Sequence, residues 1–262
     1  MDTAYALLLG IIQGITEWLP ISSTAHLAIA NRFLGIDQSS GTAFDIALHA
    51  GTLLSVVAVF WKDLLEMVKA AIRLDGKSPA GKTLILVVIA TVPGALAGIL
   101  FNNYIEGLFD SILLIGAALI INSVILYAAS AGRGIKQIGK REAAITGLVQ
   151  AAALIPGISR SGSTISAAMI SGVERNKAAY FSLLMSVPIT FGAAVFELRK
   201  AALIELQPAP TVAGIAAAAA VGYVSIKVLL RIVRESKLQY FAYYCLLAGA
   251  SCVIAALFFD VR

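Results

Sequence analysis

Six long stretches with few or no charged residues constrain this sequence more than any other feature. A membrane-spanning helix needs about 20 predominantly apolar residues, and each stretch meets that length. Only 13% of the chain is charged and 59% is hydrophobic, whereas ordinary globular domains are about 25% charged. The sequence therefore predicts an all-α polytopic membrane protein. Its predicted spans are residues 43–61, 83–101, 111–132, 178–196, 206–226 and 238–259.

Four shorter apolar runs form two pairs, 3–16 with 18–31 and 143–159 with 161–173. A charged residue separates the members of each pair, and a proline lies nearby. These lengths predict half-helices that enter the membrane and turn back at mid-depth. Irregular backbone is tolerated there only when protein or a water-filled cavity satisfies it. We therefore expect two re-entrant hairpins whose tips line a site.

The two hairpins resemble each other. In both, a Gly-x-x-Gln segment (10–13 and 147–150) leads through a proline to a cluster of hydroxyl residues. Three spans follow each hairpin, and because three is odd, the second copy must start from the opposite side of the membrane. The sequence thus predicts one integral membrane domain, residues 1–262, built as an inverted-topology repeat of 1–132 and 133–262.

The distribution of Lys and Arg predicts the orientation. Fifteen of the twenty fall in residues 62–82, 133–141, 175–177 and 227–237, which the predicted topology places on one side. We expect that side to be cytoplasmic in a multi-pass protein of the plasma (inner) membrane. Both termini and the mouth of the first hairpin then face outside. Full-length spans in place of hairpins would give the same count.

The first hairpin carries a carboxylate at membrane depth. Glu17 lies four residues after Gln13, so both side chains share one helix face. A buried carboxylate is costly enough in a membrane that a functional role is the first interpretation. A structural ion pair with Arg160 is the alternative.

Three hydroxyl residues follow Glu17 in the sequence, at the tip of the first hairpin. Ser22, Ser23 and Thr24 can cap the helix after Pro20, and a capped helix N-terminus offers free N–H groups to an anion. His26 lies three residues after Ser23, within reach of the same pocket. A catalytic role for His26 and a packing role both stay open at this point.

The remaining histidine, His49, lies four residues after Asp45 in the first full span. Residues four apart share a helix face. The pair either touches the site or forms a buried hydrogen-bonded couple.

The second tip combines glycine, hydroxyls and a guanidinium. Gly157 lets the backbone approach a ligand, and Ser159, Ser161 and Thr164 supply hydroxyls. Arg160 can bind a phosphate or carboxylate with two hydrogen bonds, although an ion pair with Glu17 is again the alternative. Two capped helix ends and one arginine favour phosphate. A serine near histidine and glutamate then indicates phosphoryl transfer to serine followed by hydrolysis.

These residues form two motifs that resemble those of the undecaprenyl-diphosphate phosphatase family, membrane enzymes associated with bacitracin resistance. The first motif, Glu/Gln-x-x-x-Glu followed by Pro-x-Ser-Ser-Thr-x-His, corresponds to residues 13–26. The second, Pro-Gly-x-Ser-Arg-Ser-Gly-x-Thr, corresponds to 156–164. The resemblance covers essentially the whole chain.

The resemblance implies hydrolysis of undecaprenyl diphosphate to undecaprenyl phosphate and inorganic phosphate, which recycles a lipid carrier for cell-wall synthesis. It implies an outward-facing site with Ser23 as nucleophile, His26 as base or proton shuttle and Arg160 as a phosphate clamp. Glu17 would orient His26 or hold a divalent cation, Mg²⁺ or Ca²⁺, with Gln13 assisting. Because Gln13 stands where the motif also accepts glutamate, a cation bridged by two carboxylates is less expected here.

The expected partners are a polyprenyl diphosphate and membrane lipids, with no nucleic acid and with a homodimer as one candidate assembly. A transporter or flippase for a polyprenyl phosphate or another anion is the rival function, because inverted repeats with broken helices are typical of transporters.

Overall fold

The computed structural model describes residues 2–36, 38–132, 134–201 and 207–258. Within these ranges the chain forms ten α-helices and no β-strand. The helices are α1 Thr3–Trp18, α2 Ser23–Phe33, α3 Gln38–Ile72, α4 Pro79–Glu106, α5 Ile112–Ser130, α6 Lys140–Ala152, α7 Arg160–Ile170, α8 Arg175–Ala201, α9 Pro208–Arg234 and α10 Gln239–Phe258.

The six predicted spans correspond to helices α3, α4, α5, α8, α9 and α10. In the described part of the chain, these six helices are long and apolar enough to cross a membrane. The all-α, multi-pass membrane class is therefore confirmed. Residues 206 and 259, at the ends of two predicted spans, and residues 133 and 262, used in the Lys and Arg count, lie outside the described residues. So do the side chains of residues 43, 199 and 200.

The four shorter runs correspond to short helices of 16, 11, 13 and 11 residues, α1, α2, α6 and α7. Their ends differ from the predicted ones. Glu17 lies inside α1, which continues to Trp18. Helix α6 ends at Ala152, so residues 153–159 form a loop where the apolar run predicted helix. Entry of these hairpins from the two membrane faces stays a prediction.

Small residues let α1 lie directly against α9. A Cβ at Gly10 would lie 2.4 Å from the carbonyl oxygen of Gly214, and a Cβ at Gly14 would lie 2.9 Å from the backbone nitrogen of Gly222. Helices in membranes associate by such close backbone approach, since lipid removes the hydrophobic drive between them. The same device joins α5 to α10, where a Cβ at Gly116 would lie 2.9 Å from the Gly249 oxygen.

Helices of the first half pack against helices of the second half. Helix α1 of the first half packs on α9, while α6 of the second half packs on α4. Helix α3 packs on α8, and α5 packs on α10. A repeat in which α1 corresponds to α6 and α4 to α9 requires this exchange. Gly147 of α6 fits it, because its Cβ would lie 2.6 Å from the Ala90 carbonyl of α4. The packing is compatible with the repeat, and both the repeat and its inverted orientation stay predictions.

The close approach of α1 to α9 gives a test of the fold. Gly10→Ala should destabilise the protein by about 1–3 kcal/mol, because the new methyl group forces the two backbones apart. Thermal unfolding in detergent, followed by circular dichroism, measures the effect. Gly192→Ala in α8 is the matched control, since a Cβ there meets no atom of the described residues within 4 Å. Equal melting temperatures for the two variants would contradict the close packing.

Candidate active site

The two hairpin tips meet through the N-termini of α2 and α7. Ser22 caps α2 by accepting the N–H of Ala25 at 3.4 Å, and Ser159 caps α7 by accepting the N–H of Gly162 at 3.1 Å. The first helical residues after these caps are Ser23 and Arg160. Both contact the same carboxylate, so equivalent positions of the two tips converge on one point.

That carboxylate belongs to Glu17, whose side chain is 5% exposed. Its Oε1 accepts a hydrogen bond from Arg160 Nη2. Its Oε2 accepts from Ser23 Oγ at 2.6 Å and from Gln13 Nε2 at 3.2 Å. His49 Nε2 lies 3.5 Å from the same oxygen. The Glu17–Arg160 ion pair, which the sequence offers as the alternative interpretation of both residues, thus forms, and His49 touches the site.

Arg160 is held on its far side by α8. Its Nη1 donates to Thr190 Oγ1 at 2.7 Å and to the Ser186 carbonyl at 3.4 Å. Sequence reasoning missed both contacts. The Thr190 hydroxyl in an apolar span is a detectable signal, whereas Ser186 accepts through its backbone carbonyl, which any residue could supply. These bonds orient the guanidinium at the start of α7 while leaving it 22% exposed, so an incoming anion can reach it.

His26 does not pair with Ser23. Its Nδ1 donates to the Ser22 carbonyl at 2.8 Å, and its Nε2 lies 2.6 Å from the Tyr244 hydroxyl. The two rings stack with centroids 5.7 Å apart. Among the described residues, His26 makes no hydrogen bond to Ser23 or Glu17. The hydroxyl of Ser23 is turned to Glu17 instead. Tyr244 was missed, because it lies 218 residues away in the chain.

The other predicted hydroxyls all lie at the tips. Thr24 Oγ1 is 3.0 Å from Ser22 Oγ, and Ser161 Oγ is 3.2 Å from Ser159 Oγ. Thr164 is buried and donates to the carbonyl of its own helix one turn back at 2.7 Å. It supports the tip from within and does not face the mouth of the site.

The backbone of Gly157 was expected to approach a ligand, but in the structure it approaches helix α5. Its φ of 98° favours glycine. A Cβ there would lie 2.6 Å from both the Ala118 Cβ and the Ile115 carbonyl oxygen. The close approach that glycine allows is therefore to α5, which anchors the tip.

One amide in α5 joins the two tips. Asn122 Nδ2 donates to the Pro20 carbonyl at 3.0 Å, and Asn122 Oδ1 accepts the Ser159 N–H at 3.1 Å. Asn122 is fully buried. The sequence signal was a lone asparagine in an apolar span, and it was overlooked. Its two bonds fix the separation of the caps on which the site is built.

Comparison with known proteins places this geometry in a family. The family model described as "Bacitracin resistance protein BacA" matches residues 6–251, which contain both tips. The chain belongs to the BacA family. Its relatives include a protein named undecaprenyl-diphosphatase from Pelobacter propionicus, 43% identical over 268 aligned positions that cover 97% of each chain.

Two further BacA relatives carry the same name. The protein from Pelotomaculum thermopropionicum is 40% identical over 260 positions, 98% of this chain and 97% of its own. The protein from Korarchaeum cryptofilum is 37% identical over 257 positions, 95% of this chain and 97% of its own. In all three relatives, the aligned positions cover at least 95% of this chain and 97% of the relative's own chain.

The predicted cation ligands, Glu17 and Gln13, do not fit a divalent cation in this arrangement. Both oxygens of Glu17 already accept hydrogen bonds, and Gln13 turns its NH₂ group toward them. Gln13 Oε1 has no partner among the described residues, but Ca²⁺ and Mg²⁺ take six or more oxygen ligands. The described residues contain no group of three His, Cys, Asp or Glu that could hold a metal. A cation here stays a prediction, and no reaction step depends on it.

Asn122 gives a test of how the BacA site is held together. Asn122→Leu removes both tip bonds. It leaves the Ser159 N–H buried without a partner and leaves the Pro20 carbonyl with only the weak thiol donor of Cys245 at 3.6 Å. We expect a loss of about 1–3 kcal/mol for the unpaired N–H, measured by thermal unfolding in detergent. Asn176→Leu is the control, because that side chain is exposed and should change stability by about 0.5 kcal/mol or less. A melting temperature for Asn122→Leu equal to that of the control would refute the role of Asn122.

Proposed function

We propose that the chain is a membrane-embedded phosphatase that hydrolyses undecaprenyl diphosphate to undecaprenyl phosphate and inorganic phosphate. Its product would be the lipid carrier recycled for cell-wall synthesis. Membership of the BacA family supports this, as do relatives named undecaprenyl-diphosphatase at 37% to 43% identity. The observation that carries the proposal is the Ser23 hydroxyl, hydrogen-bonded to a buried carboxylate beside Arg160.

The tips supply the features that a diphosphate requires. The backbone N–H groups of residues 23, 24, 160 and 161 open their helices and donate to no described residue. Helix N-termini attract anions through such free N–H groups and through the helix dipole. The Nε–H of Arg160 also has no partner among the described residues. Two N-termini and a guanidinium can bind the oxygens of two linked phosphates.

Ser23 is the proposed nucleophile and Glu17 the proposed base. The Ser23 proton already points to Glu17 Oε2 at 2.6 Å, a distance suited to proton transfer. As Ser23 Oγ bonds to the terminal phosphorus, its proton passes to Glu17. The bond from that phosphorus to the bridging oxygen breaks, and the lipid monophosphate leaves with the electron pair. Arg160 stabilises the charge on the transferring group.

Water completes the reaction. It attacks the phosphorus of the phosphoserine, the bond from phosphorus to Ser23 Oγ breaks, and Glu17 returns its proton to Ser23. His26 is the proposed proton shuttle for the water. Its Nδ1 carries a hydrogen, because the Ser22 carbonyl can only accept. Its Nε2 can therefore take a proton, once the Tyr244 hydroxyl moves aside. Gln13, Ser22, Thr24, Ser159 and Ser161 would hold the substrate and the caps.

An apolar groove beside the second tip suits the lipid chain. The groove encloses about 480 Å³ between α4, α5 and the loop before α7. Its walls include Phe101, Ala117 and the tip residues Pro156 and Ile158. Ile158 is adjacent in sequence to the cap Ser159, so the groove begins where the phosphates would bind. We propose that it holds isoprene units next to the diphosphate.

The membrane arrangement completes the proposal. The Lys- and Arg-rich side would face the cytoplasm, and the two short-helix pairs would be re-entrant hairpins in the plasma (inner) membrane. The catalytic tip would then open to the outside. A divalent cation would enter with the diphosphate, whose oxygens are ligands that Mg²⁺ prefers. A homodimer remains one candidate assembly.

The reaction is tested with Ser23→Ala. Phosphate release from undecaprenyl diphosphate in detergent should fall on the order of 10³-fold or more. A phosphoenzyme trapped by acid quench with labelled substrate should be absent from the variant. Ser251→Ala is the control, because this exposed serine donates only to the Leu247 carbonyl. Undiminished release by Ser23→Ala would reject the nucleophile. Translocation of intact diphosphate in liposomes, without phosphate release, would favour the transporter instead.

The groove is tested with Ala117→Trp. Ala117 is exposed and lines the groove, so tryptophan should fill it without disturbing the core. We expect kcat/KM for undecaprenyl diphosphate to fall about tenfold or more, since lost apolar contacts of a few methylene groups carry that effect. Methyl diphosphate, which has no isoprene unit to occupy the groove, should change by less than about twofold. Ala216→Trp, on an exposed face of α9, is the control. Equal losses for both substrates would contradict the assignment of the groove.

A further inference from the structure

We propose that Thr190 of α8 is a positioning residue that anchors Arg160 so that one edge of its guanidinium stays free for a phosphate. The inference rests on the proposed function and adds to it a residue that neither motif contains. It is carried by the hydrogen bonds of the guanidinium, by the burial of Thr190 and by the different charges of the two groups that hold Arg160.

The guanidinium of Arg160 is bonded through Nη1 and Nη2 to opposite sides of the site. Nη1 donates to Thr190 Oγ1 at 2.7 Å and to the Ser186 carbonyl oxygen at 3.4 Å. Nη2 donates to Glu17 Oε1. The bond to Thr190 is the shorter of the two bonds to α8, so this hydroxyl is the main anchor of Nη1.

These bonds leave one edge of the guanidinium for a ligand. The N–H donors of an arginine form a planar fork, and Nε together with Nη2 can bind two oxygens of one phosphate. Nε donates to no residue in the described part of the chain, and Nη2 donates there only to Glu17. Because Thr190 occupies Nη1, the edge formed by Nε and Nη2 is the one that a phosphate can bind.

Thr190 and Glu17 differ in charge, and this difference decides which contact an anion breaks. A phosphate competes with the Glu17 carboxylate for the guanidinium, since both are anions. The Thr190 hydroxyl is neutral, so it holds Nη1 without compensating the positive charge that attracts the phosphate. Thr190 is also buried, at 6% exposure, whereas the Arg160 side chain is 22% exposed.

Thr190 therefore keeps Arg160 in place after the contact with Glu17 opens. Without this anchor, an arginine released from Glu17 would regain rotamer freedom, and the phosphate would have to order the side chain again. The anchor thus lowers the entropic cost of binding the anion.

The affinity for a diphosphate analogue tests this role. Methylenediphosphonate has a carbon in place of the bridging oxygen, so it binds without being hydrolysed. Its Kd is obtained from the rise of the melting temperature with ligand concentration in detergent. Thr190→Val replaces the hydroxyl with a methyl group of similar size, and we expect Kd to rise about tenfold, because a hydrogen bond to a charged donor is lost. Thr190→Ser keeps the hydroxyl and should stay within about threefold of the wild type.

Ser186→Ala is the matched control on the same helix. The Ser186 hydroxyl donates to the Leu183 carbonyl, while the contact with Arg160 uses the backbone carbonyl, which alanine retains. We expect its Kd to equal that of the wild type. Equal Kd values for Thr190→Val and Ser186→Ala, or a Thr190→Ser variant as weak as Thr190→Val, would overturn the inference. So would a wild type whose melting temperature methylenediphosphonate does not raise.

The same measurements separate positioning from packing. A packing role would lower the melting temperature of Thr190→Val by the same amount with and without the anion. A positioning role makes the difference from the wild type larger as the concentration of methylenediphosphonate rises. A difference that stays constant would contradict the proposal.

Kinetics connect the anchor with the proposed reaction. We expect kcat/KM for undecaprenyl diphosphate to fall about tenfold in Thr190→Val and to recover in Thr190→Ser. Unchanged kcat/KM in Thr190→Val would overturn the inference. A wild type that binds methylenediphosphonate but releases no phosphate would instead reject the proposed function, and the Kd values would still decide the role of Thr190.

Discussion

A single buried carboxylate dominates the interior of this protein. Glu17 lies among apolar helices, where an ionised group is stable only if donors and cations surround it. Those partners come from both halves of the chain. Arg160 belongs to the second half, and Ser23 and His49 belong to the first. Neither half can satisfy Glu17 alone, so the charged centre and the completed fold depend on each other.

The neutral contacts hold the two tips together, whereas the ionic contact between Glu17 and Arg160 lies at the proposed anion site. Asn122 joins the tips through the Pro20 carbonyl and the Ser159 N–H, and Gly157 seats the second tip on α5. Binding of a diphosphate at the proposed site would leave these contacts intact, because none of them uses a charged group. The contact between Glu17 and Arg160 is the one with which the anion would compete. A rigid neutral scaffold therefore allows the ionic pair to open without separating the tips.

The sequence predicted the membrane class and the six spans, because both depend on hydropathy. The cost of a lone buried charge offered the Glu17–Arg160 ion pair only as an alternative to functional roles, and the structure contains that pair. It did not predict the loop at residues 153–159, since an apolar composition suits a helix and a buried loop equally. Spacing placed His26 near Ser23, but the ring turns to Tyr244. Helical spacing gives a shared face and leaves the side-chain rotamer open. Asn122 and Thr190 act across the fold, where no local pattern identifies their partners.

Gln13 changes the charge balance of the site. A glutamate at this position, which the motif also accepts, would place two carboxylates on one face of α1 and would need a second cation to balance it. The amide instead donates to Glu17, so the carboxylate of Glu17 faces one guanidinium, that of Arg160. This ion pair lies between two helix N-termini, whose dipoles both turn their positive ends toward it. A multiply charged anion is the ligand that neutralises this arrangement, and a diphosphate can do so while it releases Arg160 from Glu17.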